Sequence, residues 1–524
     1  MTPKIASIAR FAHMCVFIGI GDGAAMKQVM LNPHHKHKTF MALLMKGEKA
    51  PPEVGGYATI NEDDDIERWA MGTFCQWNLI PNLAGADFID DIPLATPEQA
   101  AMRQRILPRM TKMLCERPQS IGNDINDTFM GFHHATLNAK TLLQSPLMSR
   151  MFGWYNCPAI SIGAGPSVKE HLDALRAIKD KCLLIACDAV LPALLAEGIE
   201  PHYVTPLERL RQNSPFTSNV GNSRTIFAGL PVCHPATVKP FNGKTLFVAG
   251  CDSLYEWFVP GEQQKVITGS STGILSAFLS LFLTKGPVYL LGHDLAKKKD
   301  GGSHWDKCDL AVSDFKKQNN DFRPCVGNDG TSDWLSTFWW DVFKTELTLA
   351  AANYPGRLYN VNATTNQYAR ISGTTAGGLP AAASLSDIQH RSLPVTDANV
   401  YISWLERARF FPADCDTIRT HCETAKKKIL AMLERHPKEW DQEEIRRWFS
   451  IAGLIPPERK IAFDYILRSL FYNDTMYSEK AMRSARDPGQ ATWHMARQFL
   501  NYCDVIPDIL GHIRGTMVEA LKDG

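Results

Sequence analysis

Between Cys157 and Glu208 the chain reads strand, glycine turn, helix, strand, helix, strand, and that order leaves few folds open. Ala159 to Ile162 is a short β-prone run that stops at Gly163-Ala164-Gly165-Pro166-Ser167; Val168, Leu172, Leu175 and Ile178 then follow at helical spacing, which predicts a helix over 168–178. A second strand, Leu183 to Ala186, ends at Asp188. A helix over 191–197 follows, and a third strand, Tyr203 to Thr205, ends near Glu208. Strands alternating with helices pair in parallel, and such a βαβαβ unit gathers ligands at the carboxyl ends of its strands. Gly163 and Gly165 permit close backbone approach, and Pro166 suits the first turn of the helix that carries Ser167. The turn should therefore aim unpaired amides at a guest, and phosphate is the favoured one. The same turn also serves where a helix merely packs tightly on a strand.

The α/β pattern resumes with strands at Thr225 to Ala228 and Leu246 to Ala249. Next comes Thr268-Gly-Ser-Ser-Thr-Gly273, which leads into an apolar helix over 274–283 and a strand, Val288 to Leu291, ending at Gly292-His293-Asp294. Here Ser270, Ser271, Thr272 and Gly273 form a second polar helix start, whose hydroxyls and amides can bind phosphate or sugar oxygens. Plain helix capping by Ser or Thr explains the same residues. Asp294 closes a buried strand, where an acid needs a partner or a purpose.

These pieces, in this order, resemble the domain shared by the bacterial motility accessory factors, which are flagellin glycosyltransferases, and the archaeal 6-hydroxymethylpterin pyrophosphokinases. The matching elements are Gly163-Ala-Gly-Pro-Ser167, the strand ending in Asp188, Gly198-Ile-Glu-Pro-His202, Gly292-His-Asp-Leu-Ala296 with His304 downstream, Gly327-Asn-Asp-Gly330, a helix around Glu346, and Tyr359-Asn-Val-Asn-Ala-Thr364. They cover about residues 157 to 375. His202 departs from the family's Asp. The glycine turn and the Gly-x-Asp strand end also look like those of the bacterial sialyltransferases. The resemblance implies a small Rossmann-like domain before this one and a helical, acceptor-binding domain after it.

At 524 residues the chain is too long for one core, and 45% hydrophobic with 21% charged residues describes a soluble globular protein. The expected division is an N-terminal Rossmann-like α/β domain at 1–150, a central nucleotide-sugar-binding domain with a mainly parallel sheet at 151–385, and a C-terminal helical domain at 386–524. Val16 to Ile18 followed by Gly19-Ile-Gly-Asp-Gly23 and 24–30 reads as another strand, glycine turn and helix, rather than as a secretory signal. Pro97 to Leu114 reads as a helix kinked or divided at Pro108. Helices are predicted over 401–408, 415–435, 441–449, 457–471, 478–486, 490–502 and 505–521. A net charge of +1 excludes a global basic field for nucleic acid, and no run approaches the apolar length of a membrane span. Thirteen scattered cysteines fit a reducing cytoplasm. No metal-ligand set emerges, and His34-His35-Lys36-His37 reads as a solvated loop.

The functional expectation is a glycosyltransferase that moves a nonulosonic, sialic-like sugar from a cytidine-monophosphate donor to a protein or glycan hydroxyl, with no required cofactor and room for Mg²⁺. Gly163, Gly165, Pro166, Ser167, Asp188, Glu208 and Ser270 to Gly273 would hold the donor. His304, in a Gly301-Gly302 loop able to close over it, would act as general base beside Asp294. Two other classes stay open: a pterin diphosphokinase in which Asp188, Glu208 and Asp294 hold Mg²⁺, and a non-catalytic interaction protein.

Overall fold

The computed structural model describes the chain apart from residues 1, 12, 53–55, 62–79, 122–124, 222, 251–253, 309–321, 328–332, 362–370, 389–392, 397, 451–452 and 523–524. Of the sequence signals, 328–330 of the Gly-x-x-Gly segment and 362–364 of the Asn-Ala-Thr segment lie outside the described residues. Two compact units form. One joins Met1–Thr128 to Pro412–Arg514, and the other joins Phe129–Phe411 to Gly515–Gly524.

The second unit is built on an eight-stranded sheet that is parallel throughout. Its strands are β5 (Ala159–Ile162), β6 (Leu183–Cys187), β7 (Tyr203–Thr205), β8 (Ile226–Gly229), β9 (Thr245–Phe247) and β10 (Val288–Leu291), with Leu358–Asn360 and Thr375–Ala376 at one edge. From β5 the chain winds outward through β6, β7, β8 and β9, then returns to place β10 on the other side of β5. Adjacent strands leave in opposite directions at this point, so their carboxyl ends open a crevice between β5 and β10. β5 and β6 are buried at every position, as expected of strands covered on both faces. The Thr272–Leu283 helix, buried from Ile274 to Leu283, lies against them.

The predicted 168–178 helix splits. Pro166–His171 is a 3₁₀ turn and only Leu172–Ile178 is α-helical, because Ser167 is tethered from outside the helix and the first turn tightens.

The first unit carries a four-stranded parallel sheet in the order β3 (Gly56–Ile60), β2 (Thr39–Met45), β1 (Met14–Ile18), β4 (Asp87–Ile89). Its glycine turn also sits at a switch point, between β1 and β4. The amides of Ile20 and Gly21 close on the Glu48 carboxylate at 2.9 and 2.6 Å. His35, expected in a solvated loop, is buried and bonds its ring Nδ1 to the Val29 carbonyl at 3.2 Å. The helix at Pro97–Ile121 runs through Pro108 undivided.

Further along the chain, four of the predicted helices merge into two long ones, Pro457–Ser484, within this unit, and Pro488–Lys522, which runs on past its end at Arg514. No Gly or Pro interrupts 472–477, and Pro507 costs the second helix one backbone hydrogen bond without ending it. Arg483 fastens the first of these helices to the sheet edge through Asp87 at 2.8 Å and the Ala86 carbonyl at 2.8 Å. Among the described residues no helix is long and apolar enough to cross a membrane.

Candidate functional site

The switch-point crevice of the second unit is a cavity of about 330 Å³. Its walls bring together Gly163, Gly165, Asp188, Glu208, Ser270, Ser271, Thr272, Gly273, Asp294 and His304 from six separate stretches of chain. Pro166 and Ser167 are not on the wall. Asn213, Phe216, Trp340 and Phe343 are, and nothing in their local sequence marks them.

The Gly163–Ser167 turn borders the cavity but spends three of its amides within the protein. Gly163 N–H donates to Leu291 O at 2.8 Å, Gly165 N–H to Gly292 O at 2.9 Å, and Ser167 N–H to Asp294 Oδ2 at 3.0 Å. The Ser167 hydroxyl donates to Asp294 Oδ1 at 2.6 Å. Asp294 thus occupies the anion position at this helix start, from within the protein. Both glycines are required by packing: a Cβ on Gly163 would meet Gly292 O at 2.4 Å, and one on Gly165 would meet Asp294 Oδ2 at 2.3 Å. Burial pushes the Asp294 carboxyl up to about 7 against the two Ser167 hydrogen bonds, which favour its charged form.

The second helix start is different. Ser271 caps the Thr272–Leu283 helix by accepting from Ile274 N–H at 3.2 Å, and Ser270 is held off the helix by Glu346, whose carboxylate takes its N–H at 3.1 Å and its hydroxyl at 2.8 Å. These serines do structural work. What they leave for a ligand is the first pair of helix amides, Thr272 and Gly273, which donate to no partner among the described residues and border the cavity.

Asp188 ends β6 on the cavity wall at 3% exposure. One oxygen accepts from Ala189 N–H at 2.9 Å, while Oδ2 is buried with no hydrogen-bond partner among the described residues. Burial, with the like charge of Glu208 adding, raises this carboxyl to about 7; the Ala189 amide and Thr272 hydroxyl pull the other way. Because the folded value lies above the unfolded 3.8, stability is full below pH 3.8 and falls as pH rises toward 7. Asp188→Asn should therefore melt higher than wild type at pH 8 and equal to it near pH 4. The interval is worth a few kcal/mol at roughly 1.4 kcal/mol per pH unit. A melting difference that does not change with pH would contradict this.

His304 reaches the cavity from a loop already seated on the turn, with Trp305 buried behind it and Trp305 N–H donating to Ala164 O at 2.9 Å. Lys307 pairs with Glu197 at the end of the Leu191–Ala196 helix. His304 Nδ1 lies 3.0 Å from the Ser303 hydroxyl, and burial holds its imidazole below the usual 6.5. His202, by contrast, is away from this cavity and accepts from Leu184 N–H through Nδ1 at 3.1 Å, so the departure from Asp there serves the sheet.

Residues 133–300, which include most of these walls, match the family described as 6-hydroxymethylpterin diphosphokinase MptE-like. That stretch is similar to this family. The chain also shares its fold with the solved Maf glycosyltransferase from Magnetospirillum magneticum AMB-1, at a TM-score of 0.60 and 14% identity, covering 98% of this chain and 82% of that one. No curated protein matches the chain. The resemblance to the motility accessory factors and the pterin pyrophosphokinases is thus borne out by the match over residues 133–300 and by the fold shared with the Maf glycosyltransferase.

Proposed function

We propose that the MptE-like region is the donor site of a glycosyltransferase, taking a nonulosonic sugar from a cytidine-monophosphate donor to a protein or glycan hydroxyl. The observation that carries this reading is the pair of open amides, Thr272 and Gly273, at the start of a twelve-residue helix on the wall of the switch-point cavity. They would bind the donor phosphate, with the strand-end acids and two histidines around the reacting sugar. In the transfer, an acceptor oxygen forms the new bond to the sugar, the sugar–phosphate oxygen bond breaks, and its electron pair leaves on cytidine monophosphate. The acceptor proton goes to His304, because such a leaving group needs little acid help while the hydroxyl needs a base. Asp294 is a positioning residue that holds the turn beneath His304 through Ser167.

The MptE-like match keeps a diphosphokinase in view. With Asp294 spent on Ser167, Mg²⁺ in that reading would rest on Asp188 and Glu208. Thermal-shift titration with CMP, CDP, UDP, GDP and ATP, with and without Mg²⁺, separates the two. Cytidine nucleotides are expected to raise the melting temperature without metal. Stabilisation by ATP alone, and only with Mg²⁺, would transfer the site to the kinase reading, and no shift with any nucleotide would favour a binding protein that retains the fold.

A further inference from the structure

We infer that His293 is held as a neutral imidazole protonated at Nε2, and that its bare Nδ1 accepts a hydrogen bond from a hydroxyl of the ligand in the cavity. The ligand half of this inference rests on the donor-site reading above; the tautomer half does not.

The tautomer follows from counting protons along a buried chain of side chains. Ser276 Oγ lies 2.7 Å from Gly273 O, and a carbonyl can only accept, so the single hydroxyl proton of Ser276 is spent there. Ser161 Oγ lies 2.6 Å from Ser276 Oγ. Since Ser276 has no second proton, Ser161 must donate across that contact. His293 Nε2 lies 2.9 Å from the same Ser161 oxygen, whose proton is now committed, so Nε2 must carry the hydrogen. Ser161 and Ser276 are fully buried and His293 nearly so, which leaves no room for water to reverse the direction. Burial also lowers the imidazole to about 4, so at neutral pH no second proton sits on Nδ1.

The direction in which Nδ1 faces gives it a use. A Cβ built on Gly273 would lie 3.6 Å from His293 Nδ1, which puts the lone pair beside the open helix start on the cavity wall. A bare phosphate oxygen opposite that lone pair would set acceptor against acceptor. A hydroxyl next to the bound phosphate satisfies it. An imidazole with so low a proton affinity is a poor base at neutral pH, so His293 reads the ligand while His304 moves the proton. A site built to bond a hydroxyl discriminates against a ligand lacking it, because its buried acceptor is then left unpaired.

Long-range ¹H–¹⁵N NMR of the full chain labelled with ¹⁵N-histidine reads both nitrogens of His293 at pH 7. The wild type is expected to show a protonated Nε2 and a bare Nδ1. Ser276→Ala frees the Ser161 proton to turn toward Nε2, so the histidine proton should move to Nδ1. A wild-type Nδ1–H tautomer overturns the relay, as does a Ser276→Ala spectrum identical to wild type; should that variant fail to fold, the wild-type spectrum and Ser161→Ala decide.

For the ligand half, CMP is expected to shift the Nδ1 resonance. Loss of that shift with 2′,3′-dideoxy-CMP assigns the hydroxyl to the ribose, and a shift seen only when N-acetylneuraminic acid is added with CMP assigns it to the sugar. Ligands that bind without moving Nδ1 overturn the ligand half. If none binds, the donor-site reading and the ligand half fall together, while the wild-type tautomer still decides the relay.

Discussion

Gly165→Val is expected to unfold the second unit rather than merely empty its cavity. The new Cβ would fall 2.3 Å from Asp294 Oδ2 and 2.6 Å from Gly292 O, and backbone and a doubly bonded carboxylate cannot move aside as a flexible side chain would. Relief requires parting β5 from β10 or breaking both Ser167 hydrogen bonds to a buried acid. Either course costs ~3 kcal/mol or more, at the upper end of overpacking penalties. Thermal melting followed by circular dichroism should show a large loss of stability. A variant that melts like wild type but no longer binds nucleotide would instead make the turn a ligand cradle.

The second large effect concerns proton transfer. His304→Ala should lower turnover by roughly 10²-fold, within the range for loss of a general base, while donor affinity stays within a few-fold. Burial holds the His304 imidazole below 6.5, so it is already neutral and ready to accept a proton at pH 7. The wild-type rate should fall only on acidification below pH 6.5, and the variant should lose that acid limb. Steady-state kinetics from pH 5 to 8 checks both features. Turnover unchanged by the substitution would remove His304 from the mechanism.

The sequence was most legible where one local rule decides the outcome. The 288–291 strand and the 24–30 helix fall where their apolar spacing puts them. The cavity likewise contains nearly every residue singled out at strand ends, because parallel strands must deliver their carboxyl ends to one edge. Illegible were the long-range choices among partners. Gly165 and Gly273 look alike in the sequence, yet a Cβ on the first would clash with a carboxylate whereas one on the second would meet its neighbours at ordinary contact distances. Only the fold reveals that Asp294, far along the chain, takes the place expected for phosphate, or that Glu346 removes Ser270 from the ligand's reach. β2 was missed because a polar, histidine-rich segment precedes it and masks a run that is buried from Met41 to Met45. The merged helices were read as four because their apolar spacing falters at 472–477 and 503–504, yet no Gly or Pro stands at either place to end a helix.

The difference between those two glycines provides the most direct test of the donor site. A Cβ on Gly273 meets its nearest neighbours at 3.5 to 3.9 Å, ordinary contact distances, so Gly273→Ala should fold and melt like wild type. The methyl would stand against His293 at the open helix start and crowd a ligand held by the Thr272 and Gly273 amides. Isothermal titration of CMP into wild type and Gly273→Ala, each checked by melting, is therefore the decisive measurement. The expected result is saturable binding to wild type without added metal, weakened by about tenfold or more in the variant, as for the loss of a charge-assisted contact worth ~1.5 kcal/mol or more. Equal affinity in the two proteins, or no binding to wild type, would contradict a donor phosphate at this helix start.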